Sequence, residues 1–417
     1  GAQYSQLAVM YLKFALLFNV GGFAVLMGAA PVLSGLYDSH SLRAMIWILG
    51  LSLPLSTAAM IFQAKLSADL EFAKVSRLII LSSLARHGSM VVFAWLGLGP
   101  LSFVLPLCVV ALVETALGWY WTKRWPPNRS LTWPAICGIF RDSRWVMLTA
   151  LASALTINGD YLAISLLQSK ELLGVYFFGY QLSLALVALV TSSLDTVMMP
   201  TFSALGHELS RQTELFVRGT RLLAVGSTFA CFGLAIAAPA AIHSLWAGKW
   251  DEAIPVVQIL ALAMPVRLMI PLCRAMLEAR GKWRLVSVLS ICDGAGIIFA
   301  GAVGAWAGGL IVITAVVSVY NLFAGLLYCA LAARMLLTPL KRLFVPILST
   351  LCTGLLAAAI GTAVSFVTSF DPTSLWQMPL ILSMYTIMYV GMLEAFMTGS
   401  LADFRALLST VMSARTT

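Results

Sequence analysis

Trp246–Arg284 reads WAGKWDEAIPVVQILALAMPVRLMIPLCRAMLEARGKWR: a polar turn, a long apolar run, then a basic cluster at Arg280, Lys282 and Arg284. The run is long enough to cross a bilayer, which takes about 20 apolar residues. Arg267 nevertheless lies near its middle. A cation at that depth costs about 2.5–3.5 kcal/mol on insertion scales, so it is expected to face a bundle interior or a wet cavity. At about 100° per residue, Arg267, Arg274 and Glu278 fall on one helical stripe. Pro265 and Pro271 interrupt the helix, because neither can donate to the carbonyl four residues earlier, that of Ala261 or Arg267. Freed carbonyls in a membrane need a partner or a cavity. The stretch therefore reads as a kinked, cation-bearing span of the kind that lines a transport pathway. The plainer reading is a structural kink whose arginines reach the cytoplasmic headgroups.

The rest of the chain fits a membrane protein. Of its 417 residues, 60% are hydrophobic and 10% charged, and the mean hydropathy is +0.94. A soluble surface needs more charge than that. About twelve apolar spans recur, at roughly 7–36, 41–64, 76–97, 100–122, 143–167, 172–200, 219–246, 252–279, 283–306, 308–334, 342–369 and 376–398. The expected fold class is an all-α polytopic membrane bundle. The net charge of +9 has to be read by position rather than as a nucleic-acid signal. Short connections at Tyr37–Ser41, Gly97–Pro100, Gln168–Glu171 and Ala247–Glu252 hold only Lys170 and Lys249, with Arg43 at the rim. Basic connections lie at Lys65–Arg77, Lys123–Arg144, Phe202–Arg221, Arg280–Arg284 and Arg334–Arg342, and in the tail after Glu394. The positive-inside rule then puts both ends of this chain on the cytoplasmic side. Two of the basic segments, Pro126–Arg144 and Phe202–Arg221, mix aromatic and aliphatic residues with charges. They are expected to lie as amphipathic helices in the headgroup region.

Several further charges fall inside spans. Lys13, Asp195 and Glu394 lie near cytoplasmic ends, where they reach water. Arg86 with His87, Glu114, Asp160 and Asp293 lie deeper and are expected to face protein or water, paired with one another or engaged with a ligand. Gly294, Gly296, Gly301, Gly304 and Gly308 crowd one span, and the four-residue spacing of Gly304 and Gly308 permits close helix contact. The seven cysteines include no CxxC, and the four histidines sit on separate segments, so no metal or cofactor is expected. No nucleophile elbow, HExxH, Walker loop or catalytic carboxylate pair appears, and an enzyme is not expected. The chain starts at Gly1 without the n-region or cleavage site of a signal peptide.

Five blocks carry a resemblance to a known family: LSADLEFAK at Leu66–Lys74, LGLGPLSFVL at Leu96–Leu105, LGVYFFGYQL at Leu173–Leu182, MPTFSAL at Met199–Leu205, and, most specifically, WAGKWDEAIPVVQILAL at Trp246–Leu262. Together they resemble the polysaccharide transporter, or lipid-linked oligosaccharide flippase, branch of the multidrug/oligosaccharidyl-lipid/polysaccharide exporter superfamily. The resemblance implies two helical lobes around a central cavity, followed by two more helices. It implies alternating-access movement of polyprenyl-diphosphate-linked saccharides from the cytoplasmic to the outer leaflet of the bacterial inner membrane, in company with polymerase or export machinery. Aligned to that family, the first span resembles the third family helix, so two N-terminal helices are expected to be absent. The expected division is then a four-span lobe at 1–122, an amphipathic linker at 123–141, a six-span lobe at 142–334, and two further spans with a tail at 335–417.

On this reading Arg267, Arg274 and Arg86 would attract the diphosphate, with Arg267 facing the space between the lobes. Asp160, Asp293 or Glu114 would carry a coupling ion or pair the arginines. Two other readings compete: a cation-coupled drug or metabolite exporter of the same superfamily, which would expose acids rather than arginines, and a non-transporting scaffold in envelope assembly. A membrane glycosyl polymerase would need a large outer loop, and the outer connections here are short.

Overall fold

The computed structural model of the chain describes residues 2–69, 71–122, 133–204, 208–367 and 378–396. Among them thirteen α-helices follow one another, and the chain divides into two compact units, Gly1–Arg144 and Trp145–Thr417. Eleven segments among the described residues are long and apolar enough to cross a membrane. Lys170–Ala204 is a further long helix, of 35 residues. The chain is an all-α, multi-pass membrane protein, as its hydropathy requires.

The first unit holds α1 (Ala2–Leu36), α2 (His40–Ala68), α3 (Phe72–Trp95) and α4 (Leu105–Thr122). Helix α1 packs along α2, and α2 and α3 pack on α4. Asn19 Nδ2 donates to Thr57 Oγ1 at 2.9 Å between α1 and α2. The α3–α4 connection turns on Gly97 (φ 76°) and Gly99 (φ 54°), left-handed conformations that favour glycine.

The second unit takes in α5 (Trp133–Leu167) from Trp145 onward, then α6 (Lys170–Ala204), α7 (Leu209–Leu245), α8 (Ile254–Arg267), α9 (Ile270–Ala279), α10 (Trp283–Ala307), α11 (Leu310–Met335), α12 (Lys341–Val367) and α13 (Met378–Phe396). Its centre is the α8–α9 pair, packed against α6, α7, α10 and α11. In that span 67% of the most apolar window is buried in protein, the largest share among the described spans, so its cations meet protein rather than lipid. Helices α12 and α13 pack on α7. There Tyr389 Oη donates to the Val225 carbonyl at 2.9 Å and Tyr385 Oη to that of Phe229 at 3.1 Å, supplying the partners that buried phenols need.

Three local expectations change. The Phe202–Arg221 segment does not rest in the headgroups alone. Phe202 and Phe216 are fully buried in the protein core, and Gln212 Nε2 donates to the Phe202 carbonyl at 3.1 Å. The apolar positions found a protein surface to cover before they found lipid. In the Pro126–Arg144 segment, residues 126–132 lie outside the described residues, while residues 133–144 form the first turns of α5 without a break. Gly308 is not a packing glycine. It ends α10 at φ 99°, with Gly309 following at φ 77°. The close contact belongs to Gly304, where a Cβ would stand 2.7 Å from Ile313 Cα of α11, and to Gly301, where it would stand 2.9 Å from Asp160 Cα of α5.

Candidate functional site

The site begins with a missing hydrogen bond. Pro271 has no N–H for the Arg267 carbonyl, and α8 stops at Arg267. Leu268 still donates to Met264 at 2.9 Å, Met269 closes a tighter turn onto Val266 at 3.1 Å, and α9 restarts at Ile270. Arg267 therefore occupies the last position of α8, with Arg274 on α9 beyond the break. The interruption expected at Pro271 is a true one, whereas Pro265 lies inside α8 without ending it, and α11 fits closely against the break. At Gly325 a Cβ would lie 2.6 Å from the Val266 carbonyl oxygen, so only glycine admits this approach.

Arg267 and Asp293 of α10 form a bidentate pair. Nη1 donates to Oδ1 at 2.8 Å and Nη2 to Oδ2 at 2.9 Å. The two side chains are 15% and 6% exposed. This is the planar fork that makes arginine strong on two-oxygen acceptors. Tyr320 of α11 adds a bond from its hydroxyl to Asp293 Oδ1 at 2.9 Å and one to the Asp293 carbonyl at 3.0 Å. Its ring passes over Gly296, where any side-chain carbon would collide with the phenol. Arg274 is held less tightly, donating to Ser153 Oγ at 3.3 Å and facing Glu278 Oε1 at 3.7 Å.

A cavity of about 490 Å³ opens beside these groups, and every residue lining it belongs to the second unit. Arg267, Arg274, Asp293, Ser290, Tyr180 and Tyr328 supply its polar wall. Arg267, Arg274 and Asp293 are thus brought to one place. Asp160 belongs to the same unit but is engaged elsewhere. It is fully buried, and accepts from Tyr176 Oη at 2.7 Å and from the Tyr161 amide at 3.0 Å. Arg86 and Glu114 belong to the first unit, on α3 and α4, with Arg86 exposed. Asp195 sits on α6, with its side chain outside the described residues. Among the described residues no three His, Cys, Asp or Glu side chains gather at metal-binding distance.

Tyr320, Ser290 and Tyr180 were not singled out by the sequence. The available signal was Gly296, three residues after Asp293, which leaves room for a large side chain to reach that acid. The Trp246–Glu252 turn, by contrast, is structural. Ala247 (φ 51°) and Gly248 (φ 79°) reverse the chain, and His243 Nδ1 lies 2.7 Å from Asp251 Oδ2 across it. Trp250 stacks on Phe178 at 4.7 Å.

Comparison with known proteins follows the same lines. Residues 4–255 match a family described as polysaccharide biosynthesis proteins. The teichuronic acid biosynthesis protein TuaB of Bacillus subtilis is 24% identical over 261 residues, covering 62% of this chain and 54% of that protein. The succinoglycan biosynthesis transport protein ExoT of Rhizobium meliloti is 25% identical, covering 60% and 50%. The lipopolysaccharide biosynthesis protein WzxC of Escherichia coli is 22% identical, covering 58% and 50%. The chain thus spans about half the length of these relatives. Among solved structures, the inward closed conformation of the lipid II flippase MurJ shares the fold, with a TM-score of 0.71 at 12% identity over 98% of this chain and 86% of that one.

Proposed function

Because the chain belongs to the polysaccharide biosynthesis protein family, we propose that it carries a lipid-linked saccharide precursor across the bacterial cytoplasmic membrane by alternating access. It acts as a carrier, with no covalent step of its own. The observation that supports this reading is the second-unit cavity, walled by two arginines at the break of α8–α9. A lipid-linked saccharide presents a diphosphate, and guanidinium groups in a partly dehydrated cavity are the side chains suited to bind it. The cation-coupled exporter reading fits less well. Asp293 is already committed to Arg267 and Asp160 to Tyr176, so the wall presents guanidinium groups together with neutral donors. Arg86, on α3, keeps its proposed part in attracting the diphosphate. Asp293 is proposed as the acid that pairs Arg267, which leaves Asp160 and Glu114 as the proposed candidates for a coupling ion. Both ends of the chain are assigned to the cytoplasmic side.

The test is complementation of a strain lacking the gene, scored by surface polysaccharide with membrane protein measured in parallel. Arg267→Ala is expected to abolish export. It also strands the Asp293 carboxylate, an uncompensated buried charge that costs about 3–5 kcal/mol. The double variant Arg267→Gln/Asp293→Asn removes both charges and is expected to keep the protein in the membrane, so its loss of export relative to Asp293→Asn alone isolates the arginine. Arg267→Lys should recover only part, since a point charge does not reproduce the two-oxygen fork. Normal export by the well-expressed double variant would remove Arg267 from the binding site.

A further inference from the structure

The cavity wall contains an anion of its own. Asp293 sits on Arg267 with the fork geometry that two phosphate oxygens would take, at 2.8 and 2.9 Å. The donors around it are unequally satisfied. Arg267 is fully engaged through both terminal nitrogens. Among the described residues Arg274 makes long contacts, 3.3 Å to Ser153 and 3.7 Å to Glu278. Ser290, one turn before Asp293 on α10, lines the same cavity at 2% exposure, and its Oγ, beside the Tyr328 hydroxyl, makes no well-formed hydrogen bond among the described residues. A buried hydroxyl whose bonding is incomplete, beside a loosely held guanidinium, leaves donors for an entering acceptor.

We propose that Asp293 is a resident anion that a diphosphate must displace, and that this exchange excludes the single-charge phospholipids of the surrounding bilayer. The inference rests on the reading of the cavity as a diphosphate site. An entering diphosphate meets Arg274 and Ser290 through one phosphate and takes Arg267 from Asp293 through the other. Tyr320 keeps its hydrogen bond to Asp293 Oδ1 and holds the displaced carboxylate. A phosphodiester headgroup such as that of phosphatidylglycerol has one charge. It engages Arg274 or replaces Asp293 but does not do both, so the resident carboxylate outcompetes it. An arginine pocket without Asp293 would fill with phospholipid, which vastly outnumbers any lipid-linked precursor.

The experiment measures binding of farnesyl diphosphate to the purified protein in nanodiscs, with and without phosphatidylglycerol in the bilayer. Wild type should bind farnesyl diphosphate equally well in both. Asp293→Asn should bind it about tenfold more tightly in neutral lipid, the scale of one charge-assisted hydrogen bond, and lose that gain when phosphatidylglycerol is present. Tyr320→Phe retains the ion pair and removes only the group that holds the displaced acid, so it should bind several-fold more weakly. A purely structural role for Asp293 predicts the opposite sign for its variant: weaker binding and no sensitivity to phosphatidylglycerol. That result, or unchanged binding by Tyr320→Phe where the Asp293 variant fails to fold, overturns the exchange. Equal binding by wild type and the Arg267→Gln/Asp293→Asn double variant defeats the diphosphate reading itself, an outcome separate from failure of the exchange.

Discussion

Asp160 and Asp293 are acids of the same unit, and their partners divide their roles. Asp293 faces a guanidinium at the cavity; Asp160 faces a phenol and a backbone amide. Asp160→Ala strips an acceptor from the fully buried Tyr176 hydroxyl, so it should lower stability by about 1–3 kcal/mol. The check is the thermal or denaturant midpoint of the purified protein, and an unchanged midpoint would show that the Tyr176 contact contributes nothing. The sequence announced that Arg267 needed company, because a cation so far from water has few alternatives. It did not announce which acid would supply it. Asp160 and Asp293 were equal candidates by depth, and only the rotation of α5 and α10 about their own axes separates them. Such rotation follows from packing at Gly301 and Gly296, and a hydropathy pattern carries no record of it.

At the scale of elements, the prolines were readable and the glycines less so. Pro271 ends α8 at the residue that chemistry demands, since a proline nitrogen has no proton to give. What a glycine does depends on a neighbour distant in sequence. Gly308 looked like a contact residue and is a helix terminator, while Gly325 drew no notice and seats α11 on the broken turn. Gly325→Ala forces a methyl to 2.6 Å from a carbonyl oxygen that the backbone fixes. It is expected to cost about 1–3 kcal/mol by overpacking, seen as a lower unfolding midpoint in detergent. Gly88 on α3 has open space around it, and Gly88→Ala should be neutral or stabilising by up to about 1 kcal/mol. Equal midpoints for the two variants would refute the role given to Gly325. The amphipathic stretch after Phe202 misled for a related reason: lipid headgroups and a protein groove reward the same alternation of apolar and charged residues.

For the whole molecule, the all-α, multi-pass class was legible because a bilayer leaves so few alternatives, while eleven candidate spans among the described residues stand against about twelve expected. The division after Arg144 is less so, since α5 runs through it without interruption. Orientation rests on the loops. If both ends are cytoplasmic, as proposed, single cysteines introduced at Ser39, Ser169 or Gly248 into an otherwise cysteine-free protein should react with an impermeant thiol reagent in intact cells. One at Lys341 should stay silent, and the reverse pattern would invert the topology. The ion pair at the cavity also bears on how such a chain is made. Arg267 leaves the ribosome 26 residues ahead of Asp293. Until the acid follows, the α8–α9 span carries a bare cation into lipid at about 2.5–3.5 kcal/mol. Each of the two spans is a poor tenant of the bilayer alone, and the charge of one cancels the debt of the other. Entering as a hairpin would spare both that cost, so the pairing of the residues, more than the order of translation, is expected to set how the two spans insert.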